Sequence, residues 1–206
     1  MKLNAFNKPK GWIEVICGPM FAGKSEELLR RVNRFKYADI SYLIFKPKID
    51  TRSKEAKSRD GRTNHCIEVE NSANIIKYLK NYENEHSIKI DAIAVDEAQF
   101  FDEGLGEVCN QLANHGYVVY AAGLDLDFRG VPFKSMSNLL AYADHVSKLT
   151  AICTVCGTEA NRTQRLINGQ PAKFSDSIVQ IGDCESYEAR CRHCHEVLGK
   201  PKLVEK

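Results

Sequence analysis

Gly18-Pro19-Met20-Phe21-Ala22-Gly23-Lys24-Ser25 fits G-x-x-x-x-G-K-[ST], the pattern of loops that cradle phosphate groups. The apolar run Ile13-Glu14-Val15-Ile16-Cys17 before it reads as a buried strand, and Glu26 to Val32 after it reads as a helix. That strand–loop–helix order is the context in which such a loop works. Gly18 and Gly23 can take backbone angles closed to other residues, so the N–H groups from Gly18 to Ser25 can turn inward on an anion. The new helix adds its unpaired N–H groups and positive end. Lys24 is placed to reach the β- and γ-phosphates of a nucleoside triphosphate, and Ser25 to put its hydroxyl on Mg2+.

Outward from this loop, the chain alternates. Strands are expected at Ile40–Phe45, His65–Val69, Ile88–Val95, Tyr117–Gly123 and His145–Ala151. Helices are expected at Ala73–Tyr82, Gly104–His115 and Ser137–Tyr142. Strands interleaved with helices predict an α/β fold with a mostly parallel sheet. Residues 49–64 are polar and lack apolar periodicity, so a surface loop is expected; Asp50-Thr51-Arg52 begins it at a strand end, where α/β sheets face their ligands. The run Ile93-Ala94-Val95 leads into Asp96-Glu97-Ala98-Gln99, an apolar strand ending in an acid that can hold Mg2+. Glu97, next to that acid, is placed near a γ-phosphate and could take a proton from an attacking hydroxyl or water. The competing reading is that Glu97 caps a helix or pairs with Arg129.

The pattern changes at Cys153. Eight cysteines are many for 206 residues. Cys153-x-x-Cys156 and Cys191-x-x-Cys194 have the paired spacing of a closed tetrahedral zinc site, structural rather than catalytic. His193 and His195 crowd the second pair, and either could stand in for Cys194. Cys17, Cys66 and Cys109 are expected as small buried apolar residues, and Cys184 as an unligated thiol. The gap between the pairs exceeds the roughly 15–20 residues of a small zinc ribbon, which suggests a loop fixed at its base and free at its tip. The expected division is 1–150 for nucleotide binding and 151–206 for zinc binding and this loop.

Composition excludes several classes. With 29 basic and 27 acidic residues the net charge is +2, so charge gives no reason to expect a polynucleotide partner. No apolar stretch approaches a membrane span. The polar, basic Met1–Lys10 has no apolar core behind it, and the expectation is a cytoplasmic protein. Asp-Glu-Ala-Gln also occurs in nucleic-acid helicases, but those need two nucleotide-binding lobes. The remaining alternatives are a P-loop ATPase or switch with a zinc-dependent module for protein or nucleic acid, and a zinc-ribbon binding module with a degenerate nucleotide site.

Taken together, these motifs resemble the type II, cytosolic-type thymidine kinase family from about Gly11 to Val197. The carriers are the phosphate loop, Asp50-Thr51-Arg52, Asp96 to Phe101, Gly123-Leu124-Asp125, both cysteine pairs, Ile181-Gly182 and Tyr187. The resemblance implies a RecA-like P-loop domain and a small zinc-ribbon domain carrying a lasso loop over the nucleoside. It implies ATP-dependent phosphorylation of the 5′-hydroxyl of thymidine, with deoxyuridine as a second acceptor, in pyrimidine salvage. By position, Gly18 to Ser25 and Asp96 serve ATP and Mg2+, Asp50 contacts metal-bound water, Glu97 is the base, and Arg52 holds the transferring phosphoryl group or the substrate. Met20, Phe100, Leu124, Phe128, Phe133 and Tyr187 would form the thymine pocket, with Thr163, Ile178 and Gly182 of the lasso against base and sugar. A homotetramer and feedback by thymidine triphosphate are likewise implied.

Overall fold

The computed structural model describes residues 11–48, 66–178 and 185–201. The chain runs β1 (Trp12–Cys17), α1 (Lys24–Asn33), β2 (Tyr42–Pro47), β3 (Cys66–Val69), α2 (Ala73–His86), β4 (Ala92–Val95), α3 (Leu105–Asn114), β5 (Val118–Gly123), α4 (Lys134–Tyr142) and β6 (His145–Lys148). These six strands form one sheet in the order β3-β2-β4-β5-β1-β6. Every neighbouring pair in it is parallel.

The alternation of side chains explains the layers. On β1, Ile13, Val15 and Cys17 point to one face with Ile93 and Val95 of β4 and Val119 and Ala121 of β5. Residues from α2, α3 and α4 cover that face, among them Leu79, Leu105, Leu112, Met136 and Leu139. On the other face Ile16, Ile44, Ala94 and Ala122 meet Leu28 and Val32 of α1 and Phe35 beyond it. A strand buried on both faces is near-continuously apolar, which is what Ala92–Val95 is.

The order of strands sets the position of the site. The chain leaves β1 for one side of the sheet, returns to insert β4 and β5 between β2 and β1, and adds β6 on the far side of β1. The loop after β1 and the loop after β4 therefore flank the end of β5, at the edge where α/β sheets bind ligands.

Two expected strands come out shorter. The expected strand at Ile88–Val95 begins only at Ala92, and the expected last strand breaks into β6 and β7 (Ala151–Ile152), which lie in different sheets. The physical reason is the partner. β6 pairs with β1, and β1 ends at Cys17, where the chain curls into the phosphate loop. Leu149 N–H makes one last bond to Cys17 O, after which no strand remains to pair with. The helix expected from Ser137 begins three residues earlier, at Lys134. Cys17 and Cys109 are buried as expected, but Cys66 is exposed, because it opens the edge strand β3.

The remainder is antiparallel. β7 pairs with β8 (Glu159–Ala160) around the first cysteine pair. β9 (Arg162–Ile167) lies between β10 (Gln170–Pro171) and β11 (Glu185–Arg190), and the second cysteine pair follows β11. No helix among the described residues is long and apolar enough to cross a membrane.

The closest helix contact is between α3 and α4. A Cβ on Gly106 would lie 3.0 Å from Asn138 C and 3.1 Å from Leu139 N, which are backbone atoms that cannot rotate away. Gly106→Val is expected to force the helices apart and cost about 1–3 kcal/mol. Valine is the better helix former of the two, so a loss reports packing rather than propensity. A lower urea midpoint with an unchanged m-value checks it.

Candidate active site

Gly18 has φ 144° and sits where a Cβ would come 2.4 Å from Leu149 O, so both backbone angle and space require glycine. Gly23 ends the loop at φ 77° and opens α1. Between them Phe21 takes φ 66°, a left-handed angle rare for a bulky residue, and its side chain is exposed. The loop thus makes two left-handed turns at glycine and a third at phenylalanine, and only the glycines could be expected from the pattern.

Lys24 Nζ donates to Pro19 O at 2.7 Å and so lies back across the loop. Burial pushes its pKa below the ordinary lysine range, against the pull of Glu97, Asp96 and Asp125. Ser25 Oγ donates to Asp96 Oδ1 at 3.2 Å, which joins the two elements that were expected to share a metal. Burial, then the charge of Glu97, raises Asp96 to about 6. A buried acid with a second acid beside it is a site that gains from a cation.

Glu97 follows at φ 52°, and its N–H donates to Asp96 Oδ1 at 2.9 Å. Neither competing reading of Glu97 fits. It makes no side-chain cap bond to the short 3-10 turn Ala98–Phe100. Arg129 instead donates to Asp127 Oδ2 from Nε at 2.8 Å and from Nη2 at 2.6 Å. The Glu97 carboxylate is held by Gln99, whose Nε2 donates to Oε2 at 2.5 Å. The sequence reading assigned Gln99 no role.

Of the expected pocket residues, Phe100 follows this pair directly, its N–H donating to Glu97 O at 3.0 Å. Phe100 and Phe133 meet edge to face with centroids 6.3 Å apart. Leu124 N–H donates to Gln99 Oε1 at 2.9 Å. Phe128 is buried. It lies under Arg165, whose guanidinium carbon is 5.0 Å from the ring centroid. Arg165 is fully buried, reaches Ser177 O with Nη1 at 2.6 Å, and faces Tyr187 across the β9–β11 ladder. A buried arginine on a strand gives no sequence signal that separates it from a surface one. Ile178 is exposed at the end of its described segment. Asp50, Arg52 and Gly182 lie outside the described residues, as does Cys184.

The four cysteines Cys153, Cys156, Cys191 and Cys194 come together with their sulfurs all within 4.8 Å of one another. Against the penalty of burial, backbone N–H groups of Cys191, Cys156 and Val155 lower the Cys153 thiol to about 6. Backbone donors likewise lower Cys191, while the neighbouring thiols raise Cys194 to about 12; four sulfurs grouped this closely suit a closed tetrahedral metal site. His195 is otherwise engaged, its Nε2 donating to Phe128 O at 2.8 Å. The group of potential ligands includes the sulfur of Cys194 and neither His193 nor His195.

This cysteine-bearing part is joined to the phosphate loop. Thr163 Oγ1 accepts the N–H of Met20 at 3.0 Å, and Ala22 packs against the small core of Ala151, Ala160 and Ala189. Lys200 Nζ donates to Arg129 O at 2.7 Å. Lys148 Nζ meets the buried Asp125 Oδ2 at 2.8 Å, linking the end of β6 to the segment after β5.

A family model described as Thymidine kinase matches residues 11–195. The thymidine kinase of Ureaplasma urealyticum serovar 10 is 51% identical over 203 residues, covering 98% of this chain and 90% of that one. The thymidine kinase of Ureaplasma parvum serovar 3 is 49% identical over 203 residues with the same coverage, 98% and 90%. Among solved structures, the ATPase DotB of Legionella pneumophila aligns with a TM-score of 0.41 at 15% identity, over 74% of this chain and 44% of that chain.

Thr163→Val keeps the shape of the side chain and removes the acceptor of the Met20 N–H. The expected loss is about 1–3 kcal/mol, the cost of a buried donor left unpaired. Thr163→Ser, which keeps the oxygen, should stay within about 0.5–1 kcal/mol of the parent. Urea unfolding of the three proteins compares them.

Proposed function

The chain belongs to the thymidine kinase family, and from that premise we propose that it transfers the γ-phosphoryl group of ATP to the 5′-hydroxyl of thymidine. Deoxyuridine is the second acceptor, and the reaction serves pyrimidine salvage. The observation that carries the reading is the Ser25–Asp96 hydrogen bond with Glu97 directly after it, beside the aromatic group of Phe100 and Phe133.

The chemistry follows from the residues. The N–H groups of the loop and the start of α1 bind the β- and γ-phosphates, with Lys24 as their cation. Ser25 and Asp96 would hold the Mg2+ that arrives with ATP, and that ion neutralises phosphate charge when bound. Glu97 accepts the proton of the 5′-hydroxyl as its oxygen forms a bond to the γ-phosphorus. The bond from that phosphorus to the β–γ bridging oxygen breaks, and ADP leaves. Arg52 steadies the transferring group, and Asp50 contacts water on the metal. The pyrimidine is held by Met20, Phe100, Leu124, Phe128, Phe133 and Tyr187, with Thr163, Ile178 and Gly182 closing from the lasso. An aromatic-walled cavity with few polar groups suits a flat base.

The four thiols are proposed to hold structural zinc, fixing the base of the lasso. Grouped rather than oxidised thiols suit a reducing compartment, so the cytoplasm is the proposed location. A homotetramer and inhibition by thymidine triphosphate complete the proposal and rest on family membership.

Incubation with Mg-ATP and a panel of nucleosides is expected to give monophosphate from thymidine and deoxyuridine. ATP lost with no nucleoside phosphorylated would overturn the kinase in favour of an ATPase. Glu97→Gln is expected to lower kcat by about 100- to 10,000-fold, the usual worth of a general base, with ATP affinity retained. Metal analysis of protein purified without chelator should find about one zinc per chain, and less than about half would contradict a four-cysteine site.

A further inference from the structure

Glu97 is exposed, at a left-handed backbone angle, one residue from another carboxylate. A long side chain in that setting has many rotamers and a like charge to move away from. Proton transfer needs it in one place, within hydrogen-bond reach of the acceptor hydroxyl. Something must therefore hold it.

Gln99 is 4% exposed and uses both ends of its amide. Nε2 donates to Glu97 Oε2 at 2.5 Å, and Oε1 accepts the N–H of Leu124 at 2.9 Å. The partners fix which end is which, since a carboxylate cannot donate and an N–H cannot accept. The amide is also wedged. A Cβ on Gly123 would come 2.8 Å from Gln99 Oε1, so the end of β5 leaves room for this side chain only because residue 123 is glycine. Behind it, Ser135 Oγ lies 3.2 Å from Ala98 O and 3.3 Å from Gln99 O, anchoring the turn to α4.

We propose that Gln99 is a positioning residue for phosphoryl transfer: it holds one oxygen of the Glu97 carboxylate, leaves Oε1 to take the proton, and references that carboxylate to Leu124 in the nucleoside pocket. The proposal rests on Glu97 being the base. No other residue type serves both bonds with this shape. Glutamate keeps the acceptor for Leu124 but faces Glu97 with a charge. Methionine keeps the volume and loses both bonds.

The test is a double-mutant cycle on the full chain, with kcat, the thymidine KM, ATP affinity and thermal stability measured for each protein. Gln99→Met and Gln99→Glu are each expected to lower kcat by about 10- to 100-fold, with thymidine KM and ATP affinity within about threefold of the parent. In a Glu97→Gln background, each Gln99 change should lower kcat by less than about twofold further, since the group it positions is gone. Gln99→Glu retains the bond to Leu124, so it keeps the test open if Gln99→Met folds poorly. A kcat within twofold of the parent overturns the proposal, as does an equal loss in both backgrounds or a rise in thymidine KM with kcat unchanged. Near-normal turnover of Glu97→Gln alone would instead overturn Glu97 as base, which separates that failure from this one.

Discussion

A single hydrogen bond between the first turn of α1 and the residue after β4, from Ser25 Oγ to Asp96 Oδ1, depends on the placement of almost every other element. The two residues are 71 positions apart and follow strands that are not neighbours. β5 lies between those strands, so the hydroxyl and the carboxylate must meet over its end. That end is Gly123, where a Cβ would come 2.8 Å from Gln99 Oε1. The same geometry puts the start of the chain after β5, at Leu124, against Gln99, which holds Glu97. Strand order and the glycine at the end of the middle strand are thus parts of one constraint.

The electrostatics are arranged around an anion. Asp96 and Glu97 are adjacent acids, and burial makes Asp96 harder to ionise. The same burial makes Lys24 harder to protonate, and the acids oppose that. Charges that are costly by themselves are tolerated because they neighbour one another. Nearby, Lys148 Nζ lies 2.8 Å from Oδ2 of the buried Asp125.

The sequence made the frame legible because each motif encodes a local requirement. Gly18, Gly23, Lys24 and Ser25 fit the pattern of a loop that wraps an anion, and Asp96 fits that of an acid at the end of an apolar strand. The cysteine spacing foretold that four thiols would gather, and they do. What could not be read depends on contacts between distant segments. The Met20 N–H bond to Thr163 spans 143 positions, and the backbone half of it has no residue type. Arg165 looks like any arginine until the fold lays it on Phe128. The break between β6 and β7 was hidden because it is decided by where β1 stops. Gln99 was in view within Asp-Glu-Ala-Gln, but its use requires knowing that Leu124 lies on the far side of it.

The joint at Thr163 has a consequence for how the molecule could be altered. β9 offers its threonine to the phosphate loop while its neighbour β11 leads into the second cysteine pair. His195, directly after that pair, reaches back to Phe128. The cysteine-bearing part is therefore not a cassette that could be exchanged for another of the same metal and size. Its strands serve as a gauge for the spacing between the phosphate loop and Phe128, and a replacement would have to be cut to the same length.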